Sequence, residues 1–298
     1  MTAEQNARRS VDNLLDVLSL AASEARTTED IFTGVSHPMP TGRVYGGQVL
    51  AQSLIAAERT LPENRIVHSM HGYFLRPGDA SQGITFAVDR IHDGRSFSTR
   101  RSQAYQGGVP IFSMIASFQD QDPGVEHAQP MPEGVPAPED VPSDDELIGS
   151  VHPLTGRLLA ERPADVRHVS GPLFLEVAGE RVPQQAVWMR MRAPMPDDPG
   201  LHRAALAYLS DMTIQESILR RHGVTWSTPG LKVASLDHAM WWHRFGRVDE
   251  WMLYVQESPN ARGGRGLGEG RIYSREGALL ASVAQEVMVR VPEGDASA

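Results

Sequence analysis

One pattern occurs twice along this chain: an apolar helix-like run followed by four strand-like runs. In the first copy the helix is residues 48–60, apolar on most of its circumference and ended near Pro62. Strand-like runs follow at 66–74, 84–91, 96–105 and 109–118, with Asp93-Gly94 and Gly107-Gly108 as hairpin turns. In the second copy the helix is 202–221, closed by Gly223. Its strands are 232–243, 251–258, 267–275 and 278–290. Corresponding strands start at 66 and 232, at 84 and 251, and at 109 and 278, offsets of 166, 167 and 169 residues. An offset this constant over several elements marks a repeated unit.

A helix apolar all round is a buried helix. Four strands after it give it something to be buried in. The expected class is α+β, a tandem double hotdog in which each unit is an antiparallel sheet wrapped around a central helix. Edge-to-edge pairing of the two sheets would remove one exposed edge from each. The expected division is an N-terminal unit over residues 1–125, a linker rich in Pro and acidic residues over 126–160, and a C-terminal unit over 161–298. A short helix is expected at 151–160 and a strand at 184–193. Residues 11–20 read as an amphipathic helix, since Asp12 and Asp16 interrupt the apolar run.

Composition narrows the function. A net charge of -9 argues against a nucleic-acid partner, because binding a phosphate backbone needs a basic face. There is no cysteine, which removes disulfides, thiolate metal sites and a Cys nucleophile together. No run approaches the ~20 apolar residues that span a bilayer, so no membrane partner is expected. The start of the chain does not read as a signal peptide, nor its end as a peroxisomal address, and a cytoplasmic location is expected.

Chemistry has few candidates. Asp211 falls between two apolar arcs of the second helix, Ala207, Ile214 and Ile218 on one side and Leu209, Met212 and Leu219 on the other. A carboxylate there is costly unless it is paired; the alternative is that this side of the helix opens to solvent. Ser235 and Asp237 share one face of a regular strand and His238 takes the other. His68 and His71 separate by the same parity, so neither His pair can chelate a metal, and no metal site is expected. Gln285 interrupts a mostly apolar strand, either as a satisfied structural amide or as a residue that orients a water. No Gly-x-Ser-x-Gly elbow, P-loop or dinucleotide fingerprint occurs. Glycines 263, 264, 266, 268 and 270 read as a flexible loop or bulge.

Six stretches carry a resemblance: Val44-Tyr-Gly-Gly-Gln-Val-Leu-Ala-Gln52, His71-Gly-Tyr-Phe-Leu-Arg-Pro-Gly78, Asp93-Gly-Arg-Ser-Phe97, Tyr208-Leu-Ser-Asp211, Ser235-Leu-Asp-His-Ala-Met-Trp241 and Leu280-Ala-Ser-Val-Ala-Gln-Glu286. In this order and spacing the chain resembles the acyl-CoA thioesterase II (TesB-type) family of double-hotdog enzymes. The resemblance covers residues 31–290. It implies hydrolysis of medium- and long-chain fatty acyl-CoA to free acid and CoA, without a cofactor and without a covalent intermediate. The family's Asp, Ser or Thr, and Gln, which together hold a water, fall on Asp211, Ser235 and Gln285. Gly46 and Gly47, opening the first helix, are candidate oxyanion donors. Trp241, with Met240 and Trp242, is a candidate acyl-tunnel residue, and Arg262 a candidate for the CoA phosphates. His71 and His238 are expected to be structural. A homo-oligomer is expected, dimer or tetramer, with one active site per chain, in the C-terminal unit. The competing reading is a catalytically silent acyl-CoA-binding double hotdog.

Overall fold

Each strand of the repeat is hydrogen-bonded antiparallel to its neighbours, and the two units run into one another as a single sheet. In the computed structural model, which describes residues 2–24, 28–149, 156, 159, 161–174 and 176–291, the sheet has 13 strands. The N-terminal half contributes β1 (Ala21–Ala22), β2 (Asp30–Gly34), β3 (Ile66–Phe74), β4 (Ile84–Asp93), β5 (Phe97–Gln106) and β6 (Val109–Gln119). The C-terminal half contributes β7 (Ala164–His168), β8 (Gln184–Met191), β9 (Lys232–Ser235), β10 (Asp237–Trp242), β11 (Met252–Arg262), β12 (Arg265–Ser274) and β13 (Leu279–Arg290). The strand order is β1-β2-β4-β5-β6-β3-β10-β13-β12-β11-β8-β7, with β9 also pairing with β13. The halves meet at β3 and β10, from Asp237 opposite Tyr73 to Trp241 opposite Ser69. That pairing consumes an edge from each unit.

The helices are α1 (Ala3–Leu18), α2 (Gly46–Glu58), α3 (Asp144–Ile148), α4 (Pro199–Ser210) and α5 (Glu216–His222). α2 is the buried helix of the first unit: Leu50, Ala51 and Leu54 are wholly inaccessible, and it lies against α4 of the second. Inward residues of the strands, among them Met70, Phe86, Phe112 and Phe118, close around it. α1 starts with a capping box between Thr2 and Gln5 and lays Val11, Leu14 and Leu18 onto the same core. None of the described helices is long and apolar enough to cross a membrane.

Two expected elements are interrupted. The helix expected over 202–221 stops at Ser210 and resumes at Glu216. Ser210 and Ser217 return their hydroxyls to carbonyls three residues back, at Ala207 and Ile214. Such bonds compete with helix continuation. The strand expected over 232–243 is broken at Leu236. Ser235 pairs with Val287, but Ala239 pairs with Ala284, so four steps on one strand match three on the other. That is a β-bulge. The expected helix at 151–160 falls largely outside the described residues. The glycines at 266, 268 and 270 belong to β12 rather than to a loop. A Cβ on Gly268 would meet the Ile214 carbonyl at 2.8 Å, so the segment after Asp211 packs against bare backbone.

Residues 126–141 cross the outer face of the C-terminal half. Met131, Val135 and Val141 pack with Trp188, Trp251, Leu253 and Tyr273. The Trp188 indole donates to the Pro136 carbonyl (2.9 Å), and Arg167 donates to the carbonyls of Pro138 (2.8 Å) and Val141 (3.1 Å). The outer face of the N-terminal half has no such cover at Tyr73, Phe97 and Ile115, all exposed.

Candidate active site

The helix break leaves Asp211 as the C-cap of α4, where its carboxylate projects towards the first residues of α2. The contact is close. A Cβ on Gly46 would lie 2.7 Å from Asp211 Oδ2, and one on Gly47 would lie 2.3 Å from the Tyr208 carbonyl. Only glycine lets the two helices approach so nearly. The Gly47 N–H donates to the Asp211 carboxylate. An anion at a helix N-terminus is favourably placed.

Ser235 and Gln285 arrive from the sheet. The Ser235 hydroxyl donates to Asp211 Oδ1 (3.0 Å). Gln285 Nε2 donates to the same oxygen (2.9 Å) and to Ser235 Oγ (2.8 Å). The structure therefore brings Asp211, Ser235, Gln285, Gly46 and Gly47 together. Asp211 is buried, and burial pushes its pKa up to about 6, against the opposing hydrogen bonds from Gln285, Ser235 and Gly47. A carboxyl poised near neutrality suits general-base work.

His238 belongs to this site, contrary to its expected orientation. A regular strand would turn it away from Ser235; the bulge at Leu236 returns both to the inner face. The Gln285 nitrogen faces Asp211, so its oxygen faces His238 Nδ1, and the imidazole must carry its proton there. His238 Nε2, the unprotonated nitrogen, lies 3.0 Å from Ser210 Oγ, whose one proton is shared between this nitrogen and the Ala207 carbonyl. Burial lowers the His238 pKa to about 4, so the ring is neutral. It fixes which end of the Gln285 amide meets the carboxylate. Nothing in the residue order gives the bulge away, which is why parity misplaced this side chain.

Trp241 and Arg262 are not brought to the site. Trp241 lies on the outer face, edge-on to His71 (5.2 Å between centroids), because it alternates with the inward Met240 and Trp242. Arg262 is exposed beside the hairpin turn between β11 and β12, six residues along from Gly268, the partner of Gln285.

A cavity of about 500 Å³ adjoins the site. Its walls include Met39, Tyr45, Tyr208, Met212 and Trp226, with the charged Asp144, Arg162, His168 and Glu216 on one side. The volume suits a small-molecule ligand. The Tyr45 hydroxyl donates to the Tyr208 carbonyl (2.9 Å), and the rings meet edge to face at 4.8 Å. Burial, and after it the Asp211 charge, raises the pKa of both phenols. This neutral pair stands between cavity and carboxylate.

Two hotdog units sharing one sheet, with a buried carboxylate held by hydroxyl, amide and helix N-terminus, define a double-hotdog protein with a candidate hydrolytic centre. Family models agree. The acyl-CoA thioesterase model matches residues 159–288, and the acyl-CoA thioesterase N-terminal domain model matches residues 35–119. The chain is 37% identical over 291 residues to acyl-CoA thioesterase 2 of Haemophilus influenzae, covering 95% of this chain and 99% of that protein. It is also 37% identical to human acyl-coenzyme A thioesterase 8, covering 88% of this chain and 85% of that one. Among solved structures, acyl-CoA thioesterase II TesB2 from Mycobacterium marinum is 42% identical. It superposes with a TM-score of 0.76, covering 94% of this chain and 99% of that one. The chain belongs to the acyl-CoA thioesterase II family and is an enzyme of the thioester-hydrolase class.

Proposed function

We propose that the chain hydrolyses medium- and long-chain fatty acyl-CoA to free acid and CoA, using a water activated by Asp211. The observation that carries this is the Asp211 carboxylate, buried, poised near pH 6 and bonded to Ser235, Gln285 and Gly47. Asp211 takes the proton of the water as its oxygen attacks the thioester carbonyl. Ser235 and Gln285 orient that water, and orientation supplies much of the rate. Gly46, heading α2, supplies an N–H toward the oxyanion, while the Gly47 N–H stays on the Asp211 carboxylate. The tetrahedral species collapses with loss of CoA thiolate, which is protonated in solvent, so no covalent enzyme intermediate forms. The apolar walls of the cavity take the acyl chain past the Tyr45–Tyr208 pair. One such site is present per chain, the protein works as a homo-oligomer, and the likeness to a bacterial acyl-CoA thioesterase supports a cytoplasmic location.

The test is free-thiol release from acyl-CoAs of graded length, with wild type and Asp211→Asn side by side. Wild type should turn over medium and long chains, and the variant should lose at least ~100-fold in rate. Binding of acyl-CoA with no release at any length would make the protein a silent acyl-CoA-binding double hotdog instead.

A further inference from the structure

Five residues beyond Asp211, Glu216 opens α5 and enters a second polar network, which borders the cavity on one side and has no chemical step in the reaction above. His168, at the end of β7, is held between two carboxylates: Nδ1 to Asp144 Oδ1 (2.8 Å) and Nε2 to Glu216 Oε2 (2.8 Å). Asp144 also accepts from Arg162 Nη1 (2.9 Å), and Glu216 Oε1 accepts from the Trp226 indole (2.8 Å). Gln185 Nε2 reaches Glu216 (3.2 Å) and Gln256 Oε1 (2.6 Å), and Gln256 Nε2 reaches Thr213 Oγ1 (2.6 Å). Asp144, His168, Gln185, Thr213, Glu216 and Gln256 are all buried. The flanking carboxylates raise the His168 pKa to about 10 against its burial, and the imidazolium and Arg162 hold Asp144 at about 2. The pair stays ionised through neutral pH.

Burying such ions gains little stability over a well-packed apolar core, though breaking one partner is costly. What the network does hold is the short stretch between the two helices. There the backbone has left helical pairing, and few of its own bonds fix it: Met212 N to Leu209 O (3.0 Å) and Glu216 N to Thr213 O (2.9 Å). The network grips that stretch twice, through Thr213 and Glu216, and ties it to β8, β11, β7 and the strap helix α3. Asp211 is the residue from which this stretch departs.

We propose that the Asp144–His168–Glu216 network is a positioning device for Asp211, clamping residues 212–216 so that the carboxylate stays buried against Gly47, Ser235 and Gln285. The proposal rests on Asp211 being the base of the reaction above. His168 is thus a positioning residue, acting through Glu216. Asp211 is faced by the Gly47 N–H from α2, Ser235 from β9, Gln285 from β13, and the neutral phenols Tyr45, Tyr208 and Tyr254. Loosening the clamp therefore changes its environment chiefly by admitting water, which lowers a burial-raised carboxyl pKa.

The experiment is a carbon-13 NMR titration of the Asp211 carboxyl, assigned by its loss in Asp211→Asn, in wild type, His168→Gln, Glu216→Gln and Asp145→Asn. Thiol release against pH is measured on the same four proteins. Glu216→Gln removes one charge and keeps a single acceptor oxygen, so either His168 or Trp226 loses its acceptor. Asp145→Asn removes the charge that pairs with Arg192 and lies 3.8 Å from Arg162, and leaves the Asp144 bonds to His168 and Arg162 that hold α3 to the network. The expected result is an Asp211 midpoint lower by about one unit in His168→Gln and by less in Glu216→Gln. kcat falls about tenfold in His168→Gln, with KM changed less, and Asp145→Asn matches wild type. Folded His168→Gln and Glu216→Gln proteins with the wild-type midpoint and kcat would overturn the proposal. So would failure of both to fold, which would assign the network to folding. The carboxyl titration does not depend on turnover. A wild type that releases no thiol would defeat the hydrolase reading alone, and an unmoved midpoint the clamp alone.

Discussion

The two halves of the sheet share strands, order and even irregularities, yet only one holds the Asp211–Ser235–Gln285 cluster. His71 pairs with Ala239, and these two occupy equivalent places, 168 residues apart, so an approximate twofold axis passes through that pair. β3 has a bulge between Val67 and Ser69, at the position equivalent to Leu236. In both halves the bulge turns the residues on either side of it towards the helix. In the C-terminal half these are Ser235 and His238; in the N-terminal half they are Val67 and Met70, both buried. The counterpart of Gln285 is Ala116, paired with Met70. The bulge belongs to the fold, and the site arose by placing three polar residues where the other half keeps apolar ones. The halves also differ outside, since only the C-terminal half wears the 126–141 strap. A half that must hold a strained carboxylate is covered and braced, and the plain half is not.

The comparison predicts that the active half bears a stability cost the other lacks. The folded Asp211 pKa is about 6, raised from 3.8. The protonated form is therefore the one that folding favours. That contribution is fully present below about pH 4 and is lost as pH rises through 6. At pH 8 the charged carboxylate costs the fold about 3 kcal/mol. Asp211→Asn should thus gain about 3 kcal/mol on wild type between pH 4 and pH 8. Denaturant unfolding at pH 4, 6 and 8 reads this directly. A gap that does not widen with pH would mean that the carboxylate is at ease where it sits.

The converse graft should fail. Met70→His puts an imidazole at the position of His238, but Ala116 offers no amide oxygen. An unsatisfied buried ring should cost about 2 kcal/mol, read as a lower thermal midpoint. Restoring the partner with Ala116→Gln in the same chain should recover part of it. Equal losses in single and double variants would deny that the halves are equivalent.

His238→Met makes the active half more like the plain one. Without Nδ1–H on its oxygen, the Gln285 amide is free to turn and present that oxygen to Asp211. kcat should drop roughly tenfold, as for a small misplacement of reacting groups, and the buried Gln285 oxygen left without its donor should cost about 1 kcal/mol in stability. An unchanged kcat would leave Gln285 oriented by Ser235 alone.

These cases show where sequence sufficed. The strands of residues 66–119 were readable to within two or so residues, because alternation and glycine turns are local signals. Asp211 and Gln285 stand out as polar residues in apolar runs, which are local anomalies, whereas Ser235 is picked out only by its motif. The face of His238 is not legible because one extra residue at Leu236 inverts the parity of everything after it, and a bulge has no composition of its own. The break after Ser210 was missed because the apolar spacing continues through Ile214 and Ile218. The strap was invisible for a different reason. Its prolines and acids resemble any linker, and its cover rests on scattered Met131, Val135 and Val141 meeting Trp188 and Trp251 far away in sequence.

The strap supplies the smallest test. Trp188→Phe keeps most of the apolar contact with Val141 and removes the indole bond to the Pro136 carbonyl. One neutral hydrogen bond contributes about 1 kcal/mol. The effect should be local, with faster amide exchange over residues 131–141 and unchanged exchange in β3 to β6. If the strap is cover for the active half, thiol release should hold at wild-type level while α3 remains docked through Arg192 and Arg162. Faster exchange spreading to residues 211–216 would show instead that the cover and the carboxylate move together. The difference between the halves would then be a single cooperative structure rather than two independent additions.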